Sequence, residues 1–213
     1  MIVSRVMTKN PVFIHPDMSI NEVRSLMDKD EIGHLPVLNK NNELIGLVTR
    51  KDLIKAGPSA ATSLDMYEIS YLLSKITVKD IMEKKVITAV ENEVVEEAAR
   101  IMVDSHVGCL PVMRGKLLVG IITDTDLFHV FLNAFGARQP GLRIILTIQD
   151  KPGQLALLTH AIAEKEGNVV ALVASDGDDP SVHRITLKVY GINREDIETI
   201  VKNIDGMELE DIR

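Results

Sequence analysis

The chain writes one phrase twice. Residues 46–53 read GLVTRKDL and residues 120–127 read GIITDTDL, both of the form G-h-h-T-x-x-D-L with h aliphatic. The likeness reaches further back. VSRVMTKNPVFI, from Val3, matches VKDIMEKKVITA, from Val78, and IGHLPV at 32–37 matches VGCLPV at 107–112. Met7 pairs with Met82 and Pro36 with Pro111, an offset of 75 each time (82 − 7 and 111 − 36). Gly46 pairs with Gly120 at an offset of 74 (120 − 46). One residue has dropped out between LNKNNELIG and MRGKLLVG, as a hairpin turn tolerates at small entropic cost. An internal duplication therefore governs the fold, and each half must make the same supersecondary unit.

Each copy runs through the same periods. A short extended stretch (Val12–Ile14; Ile87–Ala89) precedes an amphipathic helix. Its apolar face carries Ile20, Val23 and Met27 in one copy and Val95, Ala98 and Met102 in the other, spaced three and four apart. Ser19 with Glu22 predicts a capping box at the first helix. Two strands follow, HLPVL and ELIGLVT, then CLPVM and KLLVGIIT, with NKNN and RG as turns. A helix starts after each motif threonine, so the unit reads β-α-β-β-α. AGPSAATS (56–63) reads as a loop, and LDMYEISYLLSK as a helix with Asp65 near its start.

Composition limits the partners. With 46% hydrophobic but only 3% aromatic residues and no Trp, the core must be aliphatic. A net charge of −7 and the absence of a basic stripe disfavour nucleic acid. Cys109 is the one cysteine, which excludes an internal disulfide and fits a reducing compartment. MIVSRVMTKN lacks the apolar core of a signal peptide, and no apolar run is long enough for a bilayer. A soluble cytoplasmic protein that engages no membrane is expected.

In each T-x-x-D the threonine ends a strand and the aspartate lies one turn into the helix. The pattern is that of a capping box, which a helix uses with no ligand present. It also places an acceptor-only carboxylate, suited to a vicinal diol, beside helix N–H groups suited to a phosphate. Together these describe a nucleoside-phosphate site. At this point the duplicated unit resembles a tandem pair of CBS domains (a Bateman module), through VMTKNPV, GHLPVL and GLVTRKDL in one copy and DIMEKKV, GCLPVM and GIITDTDL in the other. The resemblance implies clefts for adenosine compounds such as AMP, ADP, ATP or S-adenosylmethionine. It implies ribose contact by Asp52 and Asp126, phosphate or sugar contact by Thr49 and Thr123, and adenine lined by the segments of Val12 to Ile14 and Ile87 to Ala89.

The copies differ in charge. The first has Arg50 and Lys51 inside its motif and Thr8 and His34 at other cleft positions. The second has Asp124, Thr125, Glu83 and Cys109 there. Coulomb attraction predicts a nucleotide at Thr49–Asp52, with Thr123–Asp126 left to a nucleoside-like or cationic ligand, to a metal-assisted one, or empty.

Residues 142–213 read βαββαβ, the ferredoxin-like plan: RIILTI, a turn at Pro152–Gly153, and a helix with Leu155, Leu158 and Ile162 that Gly167 is placed to stop. Strands NVVALVA and HRITLKVY flank SDGDDPS, a second helix carries Ile197, Ile200, Val201 and Ile204, and MELEDIR closes. D-x-P-G-x-L with Asn168 resembles an ACT domain, which implies an amino-acid ligand against Asp150, Gly153 and Leu155 with Asn168 facing it. Backbone N–H groups at a helix start give that a physical basis. The whole is thus an α+β chain: CBS domains at 1–57 and 78–132, a helical linker at 58–77, a second linker at 133–141, and an ACT domain at 142–213. This order is similar to that of the AcuB group of acetoin-utilisation proteins.

No catalytic constellation is present. Cys109 sits among apolar neighbours, and the six histidines show no metal-binding spacing. Asp176, Asp178 and Asp179 lack the calcium-loop pattern. The expectation is a non-enzymatic regulatory sensor without a cofactor or metal site, a homodimer that acts on a regulated protein the sequence does not name. The alternative is a dimeric adaptor with no physiological ligand.

Overall fold

The computed structural model describes residues 1–57, 65–177 and 179–213; residues 58–63 of the expected loop, Leu64 of the expected helix after it and Asp178 of the acidic hairpin lie outside the described residues. The chain is α+β and forms two compact units, Met1–Leu127 and Phe128–Arg213.

The first copy contains β1 (Thr8–Lys9), α1 (Ile20–Lys29), β2 (His34–Leu38), β3 (Leu44–Thr49) and α2 (Arg50–Ala56). Then come α3 (Met66–Lys75), capped by Asp65, and α4 (Val78–Ile81). The second copy contains β4 (Ala89–Val90), α5 (Val95–Ser105), β5 (Cys109–Arg114), β6 (Leu117–Thr123) and α6 (Asp124–Ala134). The expected capping box starts α1: Ser19 N donates to the Glu22 carboxylate at 2.8 Å, and Glu22 N donates to Ser19 Oγ at 3.3 Å. The three-and-four spacing buries Ile20, Val23 and Met27 in one copy and Val95, Ala98 and Met102 in the other.

The sheets are not built copy by copy. One has the order β1-β6-β5-β4, so the first strand of copy one pairs with the last strand of copy two, Thr8 opposite Ile121 and Lys9 opposite Gly120. The hairpin β2–β3 repeats the plan with single bridges: Ile14 joins Val37, and Glu83, from the start of copy two, joins Leu47. Each copy therefore lends its first residues to the other. Side chains complete the exchange, with Met82 lying on Gly46 and Met7 on Gly120, where an added Cβ would force the methionine to shift. Leu47, Cys109 and Ile121 form a small core where the copies meet, packed against Val86.

The other unit contains β7 (Leu142–Gln149), α7 (Gln154–Glu164), β8 (Asn168–Asp176), β9 (Val182–Tyr190), α8 (Arg194–Asn203) and β10 (Met207–Ile212). Its sheet has the order β10-β7-β9-β8 with every ladder antiparallel, a ferredoxin-like arrangement. Alternate residues Ile144, Leu146 and Ile148 of β7, and Ile185, Leu187 and Val189 of β9, are buried together with Leu158 and Ile162 of α7 and Ile197, Ile200 and Val201 of α8. The exit from α7 differs from expectation. The left-handed residue is Glu166, with φ +60°. Gly167 is needed for space, since a Cβ there would lie 2.8 Å from Ile162 Cγ2. No helix among the described residues is long and apolar enough to cross a membrane.

Candidate functional site

The exchange of first strands makes the site. After β1, Asn10 N still donates to the Val119 carbonyl, residues 11–13 leave the sheet of copy two, and Ile14 joins that of copy one. Beside this crossing strap lies a cleft of about 540 Å³, within the range of small-molecule pockets. The strap and its strand contribute Thr8, Asn10, Pro11 and Val12. Copy one adds Glu31, Gly33, His34 and Arg50, and copy two adds Ile121, Thr123, Asp124 and Thr125.

Chain order had grouped these residues differently. Thr8, His34 and Arg50 are grouped by sequence with Thr49 and Asp52, yet they line a cleft with Thr123. The cause is the strand exchange: Thr8 is held on β6 and its counterpart Glu83 on β3. Ile14 and Ala89, in the segments expected to line the adenine, do not reach the surface. Both are buried in the hydrophobic cores, while Val12 and Ile87, two residues earlier in each segment, stay exposed. Cys109 is likewise buried, and burial pushes its thiol up to about 12, far from a reactive thiolate.

Both T-x-x-D motifs are capping boxes. Asp52 Oδ2 accepts from Thr49 N at 2.9 Å and from Thr49 Oγ1 at 2.7 Å. Asp126 Oδ2 accepts from Thr123 N and Oγ1, each at 2.8 Å. Each carboxylate spends one oxygen on the cap. Among the described residues Oδ1 makes no hydrogen bond in either aspartate, so capping leaves an acceptor for a diol.

His34 stands between the motifs. It pairs with Thr49 across β2–β3, and its Nε2 and Asp124 Oδ2 flank Gly108, at 3.6 and 3.4 Å from where a Cβ there would sit. Burial pulls its imidazole below the ordinary value, against the opposing fields of Asp124 and Asp52 and with the help of Lys51. Arg50 reaches the cleft rim but is engaged elsewhere: Nη1 donates to Asp28 Oδ1 at 2.8 Å and Nη2 to the Met27 carbonyl at 2.9 Å.

In the C-terminal unit the four expected ligand residues are not together. Gly153 takes a left-handed φ of +93° at the start of α7, Leu155 is partly exposed, and Asp150 faces His183 at 3.2 Å. Asn168 donates to Tyr190 Oη at 2.8 Å beside the opposite end of β7, since Tyr190 follows Val189, which pairs with Leu142. The length of β7 separates them, about 24 Å at the rise of an extended strand. A larger hollow, of about 780 Å³, lies on the outer face of this sheet. Its Arg184 is paired with Glu210 at 3.0 Å, and its lining carries Lys202 with the carboxylates Asp179, Asp205, Glu208 and Glu210.

Comparison with known proteins gives this geometry a context. The CBS domain family model matches residues 3–59 and 78–133, together more than half of the chain. The solved CBS domain pair of protein MJ0100, in complex with 5′-methylthioadenosine and S-adenosyl-L-methionine, is 28% identical, with a TM-score of 0.53 over 65% of this chain and 98% of that one. A protein of Vibrio cholerae assigned to acetoin utilization (AcuB) is also 28% identical, with a TM-score of 0.54 over 65% of this chain and 96% of that one. CBSX2 in complex with AMP is 27% identical, with a TM-score of 0.50 over 62% of this chain and 96% of that one. Among curated sequences, the L-aspartate semialdehyde sulfurtransferase of Methanocaldococcus jannaschii is 30% identical over 131 residues, which are 61% of this chain and 23% of that enzyme. The chain thus spans less than a quarter of that relative.

Proposed function

Starting from a chain that belongs to the CBS domain family, we propose that it is a regulatory sensor whose first unit binds an adenosine compound in the cleft beside the crossing strap. The observation that carries this reading is a cleft lined by Thr8, Val12, His34 and Thr123, where Thr123 is held by the Asp126 carboxylate through one oxygen. Asp126 would grip the ribose diol, Val12 would lie against the base, and Asp52 with Thr49 and Ile87 would serve the pseudo-equivalent position. Relatives solved with 5′-methylthioadenosine, S-adenosyl-L-methionine and AMP support the adenosine class.

The modules on this reading are 1–57 and 78–132, joined by 58–77, with 133–141 leading to a regulatory domain at 142–213. We read that last domain as ACT-like. Its β8 is an edge strand with Val170 and Leu172 exposed. A second copy laid antiparallel along that edge would bring its Asn168 towards the Asp150–Leu155 turn, so an amino-acid site there requires a homodimer. Binding in one unit then alters affinity in the other reciprocally. The regulated partner would be a protein of small-molecule metabolism, with acetoin utilization as the model. The activity is regulatory rather than catalytic.

A thermal-shift panel of adenosine, 5′-methylthioadenosine, S-adenosylmethionine, AMP and ATP tests the proposal. A ligand at a hundred times its Kd should stabilise the chain by about 2.7 kcal/mol. Asp126→Ala should abolish that gain and cost about 1 kcal/mol from the lost cap. A panel without any shift would instead favour a dimeric adaptor that takes no ligand.

A further inference from the structure

The start of α6 is closed to anions. An anion at a helix N-terminus needs free N–H groups. Here Asp124 N donates to the Gly108 carbonyl at 3.0 Å, Thr125 N to the carboxylate of Asp124 at 2.7 Å, and Asp126 N to Thr123 Oγ1 at 3.3 Å. The first turn also carries two carboxylates, Asp124 and Asp126, which offset the partial positive charge of the helix end.

The rest of the cleft agrees. Its charged lining residues are Glu31, Asp124 and Arg50. The single cation is committed to Asp28 and to the Met27 carbonyl, so no uncommitted positive group is left among the lining residues. What the cleft does offer is acceptors.

We infer that this cleft selects adenosines whose 5′ substituent is uncharged or cationic, a thioether or a sulfonium, and discriminates against 5′-phosphates. The inference rests on the adenosine reading above and deepens it: Asp124 and Glu31 become specificity determinants, and the Asp28–Arg50 pair becomes the lock that withholds a phosphate partner. A phosphate entering the cleft must either face these carboxylates or strip Arg50 from both of its acceptors.

Isothermal titration of the full chain with adenosine, 5′-methylthioadenosine, S-adenosylmethionine and AMP tests this. The two sulfur compounds should bind at least about tenfold more tightly than AMP, a difference of roughly 1.4 kcal/mol. Asp124→Asn should weaken S-adenosylmethionine more than the neutral thioether and strengthen AMP. Asp28→Ala, which frees Arg50 from outside the cleft, should strengthen AMP alone. Adenosine reads the underlying site independently of charge. If adenosine binds and AMP matches or exceeds the thioether, the charge selection is overturned while the adenosine site stands. If neither adenosine nor any derivative binds, both fall.

Discussion

Gly46 and Gly120 stand in the repeated phrase for want of space. A Cβ on Gly46 would lie 2.5 Å from Met82 Sδ, and one on Gly120 would collide with Met7. Neither glycine has a positive φ, so backbone freedom is not the reason. Alanine at either position should cost about 1–3 kcal/mol, the range for forcing extra volume into a packed site. Gly33→Ala, with nothing within 4 Å of the new methyl, should leave stability nearly unchanged. Urea unfolding of the three variants checks this, and equal midpoints would show that the methionines move aside freely. The sequence displayed Met7, Met82 and both glycines at a constant offset. It did not show that each methionine serves the other copy's glycine, because offset records duplication and says nothing of which copy packs on which. The aspartates of T-x-x-D were similarly legible as caps. That one oxygen of each stays unspent is a matter of side-chain geometry, beyond what spacing encodes.

At the scale of elements, helices were the most legible. Their apolar spacing and capping residues act within a few residues of each other, and α1, α2, α5 and α6 lie where that spacing puts them. The first strands were the least legible. VFI and ITA read as extended runs, yet among the described residues only Ile14 and Ala89–Val90 pair, and Val12 and Phe13 are exposed. The ladder that matters is β1 on β6, two residues long and between the copies. Deleting residues 1–9 removes that edge strand, the Ile2–Val94 bridge and the buried Val3. Amide hydrogen exchange should then quicken through Leu117–Thr123 while the β2–β3 hairpin keeps its protection. Unchanged protection of β6 would mean that the exchange contributes nothing to holding the second sheet.

For the whole molecule, the two compact units have separate apolar cores. The core of the ferredoxin-like unit draws only on residues from Ile144 to Ile212, and those of the CBS pair only on residues from Val3 to Ile122. Calorimetry should therefore show two transitions, with an adenosine compound raising that of the CBS pair well above any shift of the other. A single transition shifted as a whole would show that the units unfold together. The sequence by itself determined the duplication, the β-α-β-β-α and βαββαβ orders, the aliphatic core and the two caps, because each is written in local period and repeated spacing. Only the tertiary structure decided that Thr8, Val12 and His34 share a cleft with Thr123, that Ile14 and Ala89 turn inward, and that Arg50 is withheld by Asp28. The reason is that pairing between distant strands is chosen by packing over the whole unit, and a near-symmetric repeat satisfies its local rules equally well whether each copy keeps its first strand or lends it to the other.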